Sequence, residues 1–228
     1  MPAPFGRPVP GPPVAPEADP LLPDRPPREA RFAVVDVETT GGSPSEAALT
    51  EIAVGVFVDG HCLELYEQLI DPQVPIPPFI TQLTGISAAM VAGAPPVAAV
   101  LPEVLRRLEG CVLVGHNLPF DLSFLNAALT AVRHPPLPHP RLDTLVLARW
   151  ALAGQVPNFR LATLAEALGL DHQPAHRAAS DVLATAELLY LLLDRLAEHG
   201  VRTLSDLQRS PAWARAVRWG RAGRPSHP

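Results

Sequence analysis

Residues 32–42 read FAVVDVETTGG, an apolar run broken near its end by Asp36 and Glu38. Side chains alternate across a strand, so Phe32, Val34, Asp36 and Glu38 share one face while Ala33, Val35 and Val37 share the other. Both faces are apolar enough to be buried. An uncompensated ionised carboxylate in such a place is costly or neutralises itself, so two side by side require a cation between them. An arginine and a metal ion both meet that requirement, and D-x-E alone does not separate them.

The same arrangement recurs further along. GHNLPFD, residues 115–121, closes the apolar stretch CVLVGHN with a polar turn and then places Asp121 at the start of a helix. Asn117 in that turn either caps the helix or serves a ligand, and Asp121 complements the helix dipole whatever else it does. A third acidic position, Asp181, lies in HRAASDVLATAELL, residues 176–189, on a helix rich in Ala and Leu. Residues five apart on a helix lie roughly 140° around its axis, so His176 and Asp181 do not share a face. His176 is therefore expected on the preceding loop, and Asp181 in the first turns.

Three segments thus deliver four carboxylates and one histidine. Oxygen-only ligands select hard ions, Mg²⁺ or Mn²⁺, over zinc. So many carboxylates suit two ions about 3.5 to 4 Å apart, an arrangement that clamps the attacking and leaving oxygens of a phosphoryl transfer. A neutral histidine beside them suits the base that activates water.

At this point the chain resembles a known family. VVDVETTG, HNLPFD and HRAASD, in this order, are similar to the three signature segments of DEDDh-type 3′→5′ exonucleases, the family of the proofreading ε subunit of bacterial DNA polymerase III. LTGIS, LDTL and LATLAEALGL resemble the family's intervening segments, and the likeness runs from about Arg31 to His199. The resemblance implies an α/β, ribonuclease H-like fold: a five-stranded mixed sheet flanked by helices. It implies that Asp36, Glu38 and Asp181 hold one metal ion, that Asp36 bridges to a second ion served by Asp121, and that His176 is the general base. Thr39, Thr84, Ile86, Asn117 and Phe120 fall where the family contacts substrate, although Thr84 also reads as an ordinary helix cap and Asn117 and Phe120 as packing residues.

What the resemblance implies about activity is hydrolysis from the 3′ end of DNA, single strands preferred, with release of nucleoside 5′-monophosphates, in repair or in proofreading beside a DNA polymerase subunit. Trimming of RNA 3′ ends is the alternative within the class, since nothing in the sequence reads a 2′-hydroxyl recognisably. A catalytically silent nucleic-acid-binding module is the alternative outside it.

The rest of the chain is consistent with one domain. Strands are expected at RFAVVDVE, LTEIAVGVFVDG, CLELYEQLI and CVLVGHN, with Asp59-Gly60 as a tight hairpin turn. Helices are expected in PPVAAVLPEVLRRLEG, PFDLSFLNAALTAV, LDTLVLARWALAG, RLATLAEALGL and the Asp181 segment. Residues 1–30 are punctuated by proline and lack periodicity, which predicts a disordered tail. Residues 31–199 form the exonuclease-like domain, and 200–228 a short helical, basic extension in which Trp213 and Val217 share a face. The 228 residues carry a net charge of -5, against binding nucleic acid by bulk electrostatics. No apolar run is long enough for a membrane span, and the start lacks a secretion signal, so a cytoplasmic protein is expected. Cys62 and Cys111 read as reduced, buried thiols, and His61, His134, His139 and His172 as surface residues.

Overall fold

The computed structural model describes residues 21–170, 177–210 and Trp213. Five strands form one sheet: β1 (Arg31–Thr39), β2 (Leu49–Val58), β3 (His61–Leu69), β4 (Val112–Gly115) and β5 (Arg141–Asp143), in the order β3-β2-β1-β4-β5. The first three are antiparallel neighbours and β4 and β5 run parallel to β1, so the sheet is mixed. The β2–β3 turn places Asp59 at φ 50° and Gly60 at φ 79°, the left-handed pair that a two-residue hairpin demands.

Helices cover both faces: α1 (Pro78–Thr84), α2 (Ala88–Val91), α3 (Val97–Leu108), α4 (Pro119–Ala131), α5 (Thr144–Ala151), α6 (Leu161–Leu168), α7 (Ala178–Glu198) and α8 (Leu204–Arg209). This is the ribonuclease H-like arrangement that the sequence predicts. β1 is central and separates two cores. Phe32 and Val34 pack with Leu147, Val182, Leu188 and Leu189 of α5 and α7. Ala33, Val35 and Val37 pack with Leu101, Val104, Leu122 and Leu125 of α3 and α4. α3 runs through Pro102, whose side chain lies on the exposed side, where the missing amide is cheapest.

The approach of α7 to the sheet depends on one glycine. A Cβ on Gly55 would stand 2.6 Å from Cγ1 of Val182 and 2.5 Å from the Phe57 ring, so only glycine admits the helix at this depth. Val182 adjoins Asp181. The bare backbone at Gly55 therefore helps set how close the Asp181 carboxylate comes to β1.

Two expectations change. Residues 21–30, read from sequence as the end of a disordered tail, pack instead: Leu22 is buried, its amide donates to Oε1 of Gln208 at 2.9 Å, and Ser205 donates to Asp24 at 2.6 Å. The tail's single leucine pair carries this; Leu22 is covered while Leu21 stays 82% exposed. Cys62 is exposed, because β3 is the edge strand and only one of its faces is covered, whereas Cys111 is buried as expected. Trp213 packs against the α7 core, and Val217, its expected partner, lies outside the described residues.

Candidate active site

The β1 alternation sends Asp36 and Glu38 to the α7 side of the sheet. α7 begins at Ala178, which puts Asp181 in its first turn. Carboxylate oxygens of Asp36, Glu38 and Asp181 all lie within 4.8 Å of one another. The structure thus brings together, from β1 and α7, three of the carboxylates singled out in the sequence.

Asp121 arrives from the opposite core. β1 is paired with β4 only as far as Val34, so farther along, the edge facing β4 needs another partner. Oδ1 of Asp121 supplies one by accepting from the Val37 amide at 3.1 Å. The bond fastens the start of α4 to β1 and leaves the Asp121 charge bearing on Asp36.

Electrostatics set these groups apart from a surface acidic patch. Burial pushes the Asp36 carboxyl well above the usual carboxylate range, and Asp121, Asp181, Glu38 and Glu51 push it further. Glu38 is pushed up to about 8, first by burial and then by Asp181 and Glu51, against a downward pull from Arg177. Burial also raises Asp121 well above its ordinary value, opposed by its backbone hydrogen bonds. Arg177 is itself held by Glu51 and Glu67, at 2.7 and 3.0 Å. Arg177, which bears on Glu38, is thus shared with two other carboxylates. All-oxygen donors at this spacing, from carboxylates that repel one another, fit a hard divalent cation.

A stability prediction follows. Glu38 has a folded pKa near 8, above its ordinary 4.5, so its contribution is present at low pH and lost as pH rises between those values. His116 runs the other way: burial lowers it to about 4, so its contribution is lost as pH falls from 6.5 toward 4. Of these two effects, that of Glu38 is the one that remains above pH about 6.5. In chelator, the Tm is expected to fall from pH 6.5 to 8.5, and Mn²⁺ to raise Tm more at the upper end. Thermal scans with and without metal check both.

The other predicted residues divide. Thr39 is buried, and its hydroxyl donates to the Gly41 carbonyl at 2.6 Å, tightening the turn after Glu38. Thr84 sits at the exit of α1, not at a helix entrance: it donates to the Ile80 carbonyl at 3.0 Å and accepts from the Ile86 amide at 3.1 Å. Ile86 has no exposed surface; the exposed apolar side chains of α1 are Phe79 and Leu83. Asn117 is exposed, at φ 70°, and its amide donates to Oδ1 of Asp143 at 3.0 Å. It does not cap α4 with its side chain, since the cap position is Leu118 and no side-chain bond is made there. Phe120 is half-buried against Phe124, with ring centroids 5.2 Å apart. His176 and His172 lie outside the described residues. His139 is half-buried, not a surface residue.

Three residues near the site escaped the sequence reading. Asp143 caps α5, accepting from the Leu145 amide at 2.9 Å, and it also anchors Asn117 and adds its charge beside Asp121. His116 is a neutral, half-buried strut. Its Nε2 donates to the Phe159 carbonyl at 2.8 Å, so Nδ1 accepts from the Thr144 hydroxyl at 2.9 Å. Glu51 is a fifth carboxylate, fully buried and directly opposite Glu38 in the β1–β2 register. The signal for Glu51 was present, a charge inside the apolar run LTEIAVGVFV.

Comparison with known proteins gives the family to which this mixed sheet and its flanking helices belong. The exonuclease family model matches residues 33–189, and the chain belongs to that family. It is 38% identical over 180 residues to the 3′-5′ exonuclease DinG of Bacillus subtilis, covering 78% of this chain and 19% of the relative. It is 37% identical over 179 residues to the PolC-type DNA polymerase III of Caldanaerobacter subterraneus, covering 78% of this chain and 13% of the relative. The chain thus spans less than a fifth of either relative's length. Among solved structures, Escherichia coli exonuclease I in complex with a dT13 oligonucleotide superposes with a TM-score of 0.66 at 22% identity, over 75% of this chain and 42% of that one, a likeness of fold. No helix among the described residues is long and apolar enough to cross a membrane.

Proposed function

We propose that this chain is a divalent-metal-dependent 3′→5′ exonuclease acting on DNA, single strands preferred, in repair or proofreading, and releasing nucleoside 5′-monophosphates. The observation that carries the reading is the meeting of Asp36, Glu38 and Asp181 within 4.8 Å, where burial and mutual repulsion raise the carboxyls of Asp36 and Glu38. These three would hold one Mg²⁺ or Mn²⁺, and Asp36 with Asp121 a second. Such ions offset charge on the phosphate and on the attacking and leaving oxygens.

The chain's own groups do the rest. His176 takes a proton from the attacking water, whose oxygen bonds to phosphorus as the bond to the 3′ oxygen of the penultimate nucleotide breaks. That oxygen takes up a proton as the shortened strand leaves with a new 3′-hydroxyl. Asn117 and Phe120, at the start of α4, and Thr39, in the turn after Glu38, would contact the terminal nucleotide. On α1, the helix that ends in Thr84 and leads to Ile86, Phe79 and Leu83 present 64% and 55% of their surfaces on one face. Exposed apolar side chains of this kind suit stacking against unpaired bases, which supports the single-strand preference. The PolC-type relative supports association with a DNA polymerase subunit.

Matched DNA and RNA oligonucleotides, single- and double-stranded, test the substrate. The reading predicts fastest shortening of single-stranded DNA. Faster shortening of RNA would replace it with 3′-end trimming of RNA, and binding without shortening would replace it with a silent module.

A further inference from the structure

Glu51 has no exposed surface, and nothing in the reaction above uses it. A buried carboxylate opposite another carboxylate is a poor way to stabilise a sheet, since an apolar residue of similar volume there generally serves as well or better. Its contacts give it a different role. Oε1 accepts from Nη2 of Arg177 at 2.7 Å and from Nε at 3.1 Å. Oε2 accepts from Nε at 3.2 Å and from the Ala178 amide at 3.1 Å.

Those donors mark the start of α7. Arg177 occupies the cap position and makes no side-chain cap bond of its own, while its carbonyl accepts from the Asp181 amide at 3.1 Å. The first amides of a helix have no partner within it, and here one is satisfied from another element. Arg177 also reaches Glu67 on β3 at 3.0 Å, so the helix start is tied to two strands. One side of the clamp carries Asp181, and His176 immediately precedes Arg177 in the chain.

We propose that Glu51 is a positioning residue: by gripping Arg177 and Ala178 it fixes the start of α7 against β2, holding Asp181 in register with Glu38 and anchoring the attachment point of His176. Both carboxylate oxygens face donors, so the role needs Glu and not Gln; the amide of Gln would turn an N–H toward Arg177 or toward Ala178. The proposal rests on the nuclease reading for its consequence in turnover. The clamp itself is independent of that reading.

Glu51→Gln, nearly isosteric, tests it in the full chain. In metal-free protein, NMR amide exchange at Ala178 should accelerate by about tenfold or more, because a helix-start amide loses its partner. At saturating Mn²⁺, kcat on a 5′-labelled DNA strand should fall about 10- to 100-fold, the usual cost of loosening a supporting residue, with KM within about threefold. Arg177→Lys, which keeps the charge and loses the fork, should fall between wild type and Glu51→Gln. Unchanged exchange would overturn the clamp. A lowered Tm with kcat unchanged at a temperature where both proteins are folded would make Glu51 structural only. Recovery of kcat on adding more Mn²⁺ would assign it to metal affinity instead. A wild type inert on DNA and RNA would overturn the nuclease reading and the catalytic half of this proposal, while the exchange result still decides the clamp.

Discussion

Asp36→Asn is expected to lower 3′-end hydrolysis on the order of 10³-fold or more and, at the same time, to raise the Tm of the metal-free protein at pH 8. Both effects come from one cause. Asp36 is the carboxylate most pressed by its surroundings: burial first, then Asp121, Asp181, Glu38 and Glu51. Removing its charge relieves that repulsion, so the fold without metal gains. It also removes the donor that the proposal makes common to both cation positions, so the catalytic contribution of both would be lost together. Differential scanning in chelator reads the first effect, and digestion of labelled DNA the second. A loss of activity accompanied by a lower metal-free Tm would point to misfolding and against the assignment.

The second large effect belongs to His176. If His176 is the base proposed above, its replacement by alanine should lower kcat by about 10² to 10⁴-fold while Mn²⁺ still binds. Mn²⁺ binding followed by electron paramagnetic resonance, without substrate, should change by no more than about threefold, since the oxygen donors remain. The limb of the pH–rate profile that reports the base should disappear. Loss of Mn²⁺ affinity with unchanged activity per bound metal would make His176 a ligand instead.

Why part of this site was legible in the sequence, and part not, follows from how each residue acts. Asp36 and Glu38 stand out because a period of two places them on the same buried face as Phe32 and Val34, where charge needs a reason. Asp121 and Asp181 were legible as acidic residues opening helices, and Asn117, with its φ of 70°, sits in a turn that the sequence already marked as special. Glu51 was not singled out, although it too is a charge inside an apolar run, because it stands alone in β2 with no second acidic residue on its face to mark a site.

Gly55 reads in sequence as a weak point in a strand. Its value appears only when α7 docks and Val182 takes the space. β5 was likewise missed: Arg141–Asp143 has three residues, too few for any period, and becomes a strand only through parallel pairing with β4. Residues 21–30 lacked a pattern of their own, and their order depends on α8, nearly the whole chain away. The sheet and the metal-binding chemistry are local in origin and could be read; the supports around them are products of tertiary contact.

The most direct test of the account is digestion of a 5′-labelled single strand of DNA with Mn²⁺ or Mg²⁺, wild type beside Asp36→Ala. The account predicts a ladder that shortens stepwise from the 3′ end with wild type, release of nucleoside 5′-monophosphates, and an intact strand with the variant. Equal inertness of the two proteins toward both DNA and RNA with either metal would contradict it.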